Sequence, residues 1–499
     1  MNLPELSISD VQAACARGEW TSAALVEHYL LRIAEIDRAG PSLRSMIELN
    51  PDALAIAEAL DEERGNGRLR GPLHGVPVVV KDSIDTGDAT STTAGSLALA
   101  GNIAPRDAHL VTRLRQAGAV ILGKTNMSEW GYMRSTRACS GWSSRGGQVR
   151  NPYVLDRSPL GSSSGSAVAV AANLCVAAVG AEVDGSIVRP ASSNSIVGLK
   201  PTVGLVSRSG VIGVADPQDT AGPMARTVAD VATLLTALTG FDERDPATRV
   251  GAARAAGDYR DFLNPTALRG ARLGVARECF GQHEGTDAVI EDAIAVLRDL
   301  GAEIVDPTRA SSLPFFGDLE LDLFRYGLKA SLNTYLAEQP RAGVRNIDEL
   351  IDFNERNAAE VMPYFGQEFL KQARATGDLT DPDYLQIRAE LRRRARAEGI
   401  DKALKDFRLD AIIAPTEGSP PFVIDPVVGD NILPGGCSTA PAVAGYPHIS
   451  VPAGYVHGLP VGLSFFAGAF QEPRLIAYAY AFEQATKIRR PPEFVPSLI

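Results

Sequence analysis

Three short stretches carry side chains whose type and setting suit chemistry. Lys81 follows Val78-Val79-Val80. A lysine at the end of a buried strand is partly desolvated, which favours its neutral, proton-accepting form. The plainer alternative pairs it with Asp82 or another acid. Gly161-Ser162-Ser163-Ser164-Gly165-Ser166 sets serines among glycines. Such a backbone can approach a ligand closely and offers it hydroxyls and N–H groups; a flexible linker is the plainer alternative. The same residues also fit Gly-x-Ser-x-Gly centred on Ser163, a nucleophile elbow that needs a later carboxylate and histidine, with His448 or His457 as the source of the latter. In the third stretch, Ser186 follows Gly185 just beyond the apolar run 174–179. A serine on a tight turn at a strand end projects its hydroxyl, and the N–H groups before it can face a reacting carbonyl; an ordinary strand-to-loop turn is the alternative.

Other chemistries lack the residues they need. No HExxH, clustered His/Cys or EF-hand loop is present, and neither GxxxxGK[ST] nor GxGxxG follows a strand. No metal or cofactor is therefore expected. The five cysteines (Cys15, Cys139, Cys175, Cys279, Cys437) are scattered and share no CxxC spacing, so free thiols are expected. A net charge of -11 argues against binding a nucleic-acid backbone. Arg392-Arg393-Arg394 lies amid Glu on an expected helix and reads as a solvated face. The longest apolar run, 167–180, is too short to span a bilayer, and the start shows no basic stretch followed by an apolar one. A cytoplasmic location, no membrane contact and a monomer or homodimer are expected.

These side chains need elements to position them. Ser9-Asp10 or Thr21-Ser22 can cap N-terminal helices, and 22–37 has apolar residues near helical spacing. Pro77–Val80 and 118–123 read as short buried strands separated by a helix near 107–117. Residues 131–166 are rich in Gly and Ser and run directly into packed apolar sequence, which marks a functional loop. Strand and helix signals then alternate through 174–180, 227–239, 272–276 and 287–300, and residues 318–405 read as helices only. A strand at 411–414, a Gly/Pro-rich loop at 418–436, strands near 449–452 and 461–466 and a helix near 472–486 close the chain. The expectation is α/β: a single large domain with a mixed, mostly parallel central sheet flanked by helices. It divides into N-terminal helices (1–65), a core (66–310 and 406–499) and a helical insertion (318–405).

The order of these motifs resembles the amidase signature family. The resemblance rests on Gly75-Val76-Pro77 with Lys81-Asp82, Gly123-Lys124-Thr125-Asn126-Met127-Ser128-Glu129, Asn151-Pro152, Ser158-Pro159, the serine run, Asp184-Gly185-Ser186-Ile187 and Val197-Gly198-Leu199-Lys200-Pro201-Thr202. A weaker echo follows in 445–452 and 458–463. The resemblance implies a Ser-cisSer-Lys triad with Lys81 as base, Ser162 as bridging serine and Ser186 as nucleophile. The backbone N–H groups of Val183, Asp184, Gly185 and Ser186 would then form the oxyanion hole. It implies hydrolysis of linear amides through an acyl-enzyme, with a small-molecule or peptide amide as substrate. Two departures stand out: Asp184 replaces the first Gly of the family's Gly-Gly-Ser-Ile-Arg, and Val188 takes the place of its Arg, with Arg189 one position later. The local sequences 140–147 and 151–159 look most like bacterial peptide amidases, which release ammonia from C-terminal peptide amides. An aryl-amide or carbamate hydrolase with the same triad, or an amidotransferase subunit of a tRNA-dependent complex, are the rival readings. Residues 131–147 are expected to line the acyl-side pocket, with Tyr132, Met133 and Trp142 as walls.

Overall fold

The structure is a computed structural model that describes residues 4–308, 316–431 and 435–498. Residues 309–310 of the expected core and 432–434 of the Gly/Pro-rich loop lie outside the described residues, as do 1–3 and 499. An eleven-stranded mixed sheet runs through the molecule. Its strands lie in the order Met46–Leu49, Val120–Thr125, Pro77–Lys81, Ala177–Glu182, Thr220–Ala225, Val197–Lys200, His448–Val456, Leu459–Phe466, Ala411–Pro415, Arg272–Val275 and Glu303–Val305. Parallel pairing is concentrated in two runs. One joins Val120–Thr125, Pro77–Lys81 and Ala177–Glu182, and the other joins Ala411–Pro415, Arg272–Val275 and Glu303–Val305. The strands between the two runs pair antiparallel, and His448–Val456 and Leu459–Phe466 form a hairpin closed at His457-Gly458.

Alternation along the strands gives the sheet two apolar faces. Ile413 and Phe465 enter the larger core, beneath helices such as Ser164–Ala171, Val228–Leu238 and Glu472–Thr486. Ile412, Ala414 and Phe466 face the opposite way, into a second cluster with Leu323, Leu328, Leu332 and Leu350. These leucines come from helices that lie between Gly317 and Asp406. Among the described residues, no helix is long and apolar enough to cross a membrane.

Local choices follow from side-chain chemistry. The first helix, Ile8–Ala16, is capped by Ser7 rather than by Ser9-Asp10, and Asp10 closes a capping box with Ser7. Thr21 caps Ser22–Arg32 through Ala24 N–H, at one of the expected positions. Strand Thr220–Ala225 left no legible pattern because it contains Gly222 and Pro223, residues that ordinarily argue against a central strand. The five cysteines are buried free thiols.

Candidate active site

The carboxyl ends of parallel strands are where α/β sheets gather ligands. Here the neighbouring strands Pro77–Lys81 and Ala177–Glu182 both end in a charged residue, Lys81 and Glu182. Lys81 is buried, and its Nζ lies 2.7 Å from Ser162 Oγ and donates to Ala181 O at 2.8 Å. Ser162 Oγ lies 2.9 Å from Ser186 Oγ, so the three polar atoms form one unbroken chain. No carboxylate is in hydrogen-bond or ion-pair contact with Lys81 among the described residues. Desolvation brings its pKa down to about 7 against the upward pull of Glu182 and Asp219. Asp82 points elsewhere: its carboxylate accepts from Thr93 and from Gly95 N–H and faces Arg145 at 3.9 Å.

The serine run is not a linker. Gly161–Ser162 is a cis peptide, Ser162 O accepts from Ser128 N–H at 3.2 Å, and Ser163 N–H donates to Ser186 O at 3.1 Å. Ser163 Oγ is spent on strand backbone: it donates to Ala181 O at 3.0 Å and accepts from Ala181 N–H at 3.2 Å. That close approach needs Gly180, where a Cβ would sit 2.9 Å from Ser163 Oγ. The elbow reading of Ser163 also lacks its histidine. His448 is fully buried, with Nε2 2.6 Å from Ser464 Oγ, and His457 sits in the hairpin turn. Ser163 is therefore not placed as the nucleophile of an elbow.

The turn carrying Ser186 is held by Glu182. Its carboxylate accepts from Gly185 N–H (2.9 Å), Ile187 N–H (2.7 Å) and Val188 N–H (3.2 Å). Burial pushes this carboxyl upward, and the nearby Lys200 opposes it. The four-donor oxyanion set expected from sequence is thereby corrected: Gly185 N–H is committed to Glu182, while the N–H groups of Val183, Asp184 and Ser186 donate to no backbone or side-chain acceptor among the described residues. Gly185 has φ +72°, and a Cβ there would run into Arg189. We predict that Glu182→Leu, which strands these buried N–H groups at about 1–3 kcal/mol each, lowers stability by at least about 3 kcal/mol; urea unfolding measures this. The departures from the family pattern have their own partners. Arg189 forms a two-pronged pair with Glu417, and Asp184 accepts from Thr439 Oγ1 at 2.8 Å.

Lys81, Ser162 and Ser186 line a cavity of about 600 Å³. Its walls come from Met127, Trp130 and Gly131, from 208–219, and from the helix Gly317–Ala337 through Leu328 and Tyr335. The expected walls Tyr132, Met133 and Trp142 do not line it, a second correction. Trp142 turns away to flank the buried Arg134, whose guanidinium pairs with Glu129 at 2.9 Å and stacks on the Trp142 and Phe365 rings. Met133 packs in the apolar cluster under the helical stretch, and the Tyr132 phenol is pushed up by burial and by Asp430. Segment 131–147 does reach the site, through Gly131, whose Cβ position lies 4.0 Å from Ser162 Oγ. The 208–219 wall was not legible in the sequence, since Gly210, Gly213 and Pro217 break up its few aliphatic residues and leave no periodic pattern. Sequence reasoning also missed Glu182, which carries the signal that picked out Lys81: a charge ending an apolar strand.

The family model described as Amidase matches residues 24–476. The chain belongs to the amidase signature family. This amidase is 41% identical over 506 residues to a probable amidase of Arabidopsis thaliana, covering 99% of this chain and 92% of that protein. It is 38% identical over 497 residues to a glutamyl-tRNA(Gln) amidotransferase subunit of Halorhodospira halophila, covering 96% and 97%. Among solved structures, the native peptide amidase from Stenotrophomonas maltophilia superposes with a TM-score of 0.93 at 50% identity, covering 98% of this chain and 99% of that one.

Proposed function

We propose that this amidase releases ammonia from the C-terminal carboxamide of peptides, through an acyl-enzyme on Ser186, with Lys81 as the base acting through Ser162. The observation that carries the proposal is the chain Lys81 Nζ–Ser162 Oγ–Ser186 Oγ, at 2.7 and 2.9 Å, on the wall of the cavity. Hydroxyls rotate, so the relay can run either way once Lys81 is neutral. Ser186 Oγ attacks the amide carbon while its proton passes to Ser162 Oγ, and the Ser162 proton passes to Lys81 Nζ. The tetrahedral oxyanion takes hydrogen bonds from the N–H groups of Val183, Asp184 and Ser186. When the C–N bond breaks, Lys81 returns its proton through Ser162 to the departing nitrogen. A water then repeats the sequence on the acyl-enzyme and frees the acid.

The peptide-amide reading is supported by the 50% identity to the peptide amidase over nearly the whole chain. It also suits a cavity with apolar walls at Met127, Ile212, Val214 and Leu328 and charged lining residues of both signs, Arg106 paired with Glu338 and Arg208 paired with Asp245. Mass spectrometry of products from a mixed library of peptide amides, anilides and esters tests it. We expect free-acid peptides and ammonia as the main products of the purified chain alone. Turnover confined to anilides or carbamates, or activity that needs added partner proteins, contradicts it.

A further inference from the structure

Beyond the catalytic chain, a buried polar bridge joins the helical stretch to the strand that leads into Ser186. Gln218 is buried, and its Nε2 donates to Val183 O at 3.3 Å and to Glu320 Oε1 at 2.8 Å. Val183 O can only accept, which fixes which end of the amide is the NH2. Glu320 lies in the first turns of helix Gly317–Ala337, 102 positions away in sequence, and is buried itself. Among the described residues no cation pairs with it, and burial followed by the charge of Asp184 pushes its carboxyl well above the usual range. A neutral carboxyl there still accepts from Gln218.

The bridge matters because of the peptide unit it holds. Val183 C=O and Asp184 N–H belong to one planar group, and in a trans peptide the oxygen and the hydrogen point in opposite directions. Gripping Val183 O from the Gln218 side therefore aims Asp184 N–H the other way, and sets the tilt of the strand end that also carries Val183 N–H. Glu182 fixes the far side of the same turn through Gly185, Ile187 and Val188. Without Gln218, Val183 O loses its side-chain donor, and the Val183–Asp184 plane is held through its neighbours, by Glu182 on Gly185 N–H and by Thr439 on the Asp184 carboxylate.

We infer that Gln218 and Glu320 are positioning residues for oxyanion stabilisation, and that they make the Asp184 N–H competent only when the helix Gly317–Ala337 is docked. The inference rests on the proposed roles of Ser186 and of the Asp184 N–H. It requires an effect on binding the tetrahedral oxyanion with none on binding the planar ground state.

The test compares a peptide aldehyde with the matching peptide alcohol. Ser186 adds to the aldehyde carbonyl and gives a hemiacetal oxyanion; the alcohol has no carbonyl to attack. For Gln218→Met, close in shape and without the donor, kcat on a peptide amide should fall about tenfold with KM unchanged. The advantage of aldehyde over alcohol should shrink by the same factor, with alcohol affinity preserved. Glu320→Leu, on a different element, should do likewise, and Glu320→Gln, which keeps the acceptor, should retain wild-type values. Equal weakening of aldehyde and alcohol, a pure KM effect, or a loss in Glu320→Gln as large as in Glu320→Leu overturns the inference while leaving Ser186 as nucleophile. A wild-type enzyme that binds aldehyde no better than alcohol overturns both.

Discussion

Ser186→Ala will abolish amide hydrolysis, with kcat down by on the order of 10⁴-fold or more. The substitution removes one oxygen, and among the described residues that oxygen has one side-chain partner, Ser162 Oγ at 2.9 Å. Folding should be nearly untouched, within about 1 kcal/mol, since a single hydrogen bond at a cavity wall is lost. Circular dichroism and the urea midpoint check the fold, and single-turnover assays check the chemistry. Substantial residual turnover would move the nucleophile elsewhere. Ser163 is the neighbour to inspect, although both hydrogen-bonding directions of its hydroxyl are taken up by Ala181.

Lys81→Arg will be as inactive on amides as Lys81→Ala, because a guanidinium does not release its proton in the working pH range. The wild-type pH profile follows from the same argument. Desolvation brings the Lys81 ammonium down to about 7. Below that pH the lysine is protonated and cannot accept from Ser162; above it the neutral amine dominates. The activity should therefore rise with pH through about 7 and level off on the alkaline side. Activated esters, whose leaving groups need less proton donation, should retain slow turnover in the Lys81 variants. Wild-type amide hydrolysis by Lys81→Arg, or a pH profile that is flat through this range, would remove Lys81 from the role of base.

Much of this was legible in the residues themselves. Three valines before Lys81 mark both a buried strand and a desolvated amine, and the serine run leads straight into a helix, Ser164–Ala171, whose residues are all buried. What escaped was set by tertiary partners. Trp142 belongs to the Gly/Ser-rich segment expected to pass close to the nucleophile, but the buried Arg134–Glu129 pair takes it as a stacking face. Gly185 looked like an oxyanion donor by position, but Glu182, three residues earlier, claims its N–H. The cavity wall contributed by Leu328 and Tyr335 comes from the helical stretch, and no local pattern says which face of a helix will close over a distant strand end. Strand Thr220–Ala225 was hidden by Pro223, which pairs with Val179 in the middle of the sheet.

With Ser186 as nucleophile and Lys81 as its base, the reactivity of one oxygen should follow the protonation of one amine. Reaction with a fluorophosphonate, followed by peptide mapping across the pH range, tests this most directly. Attack by the activated oxygen on phosphorus expels fluoride and leaves a stable phosphonyl ester on that side chain. One adduct is expected, on Ser186, formed at a rate that rises with pH to a plateau above about 7 in the wild type and is lost in Lys81→Arg. An adduct on Ser163 or Ser162 in place of Ser186, or labelling of Ser186 that is indifferent to the Lys81 substitution, would contradict it.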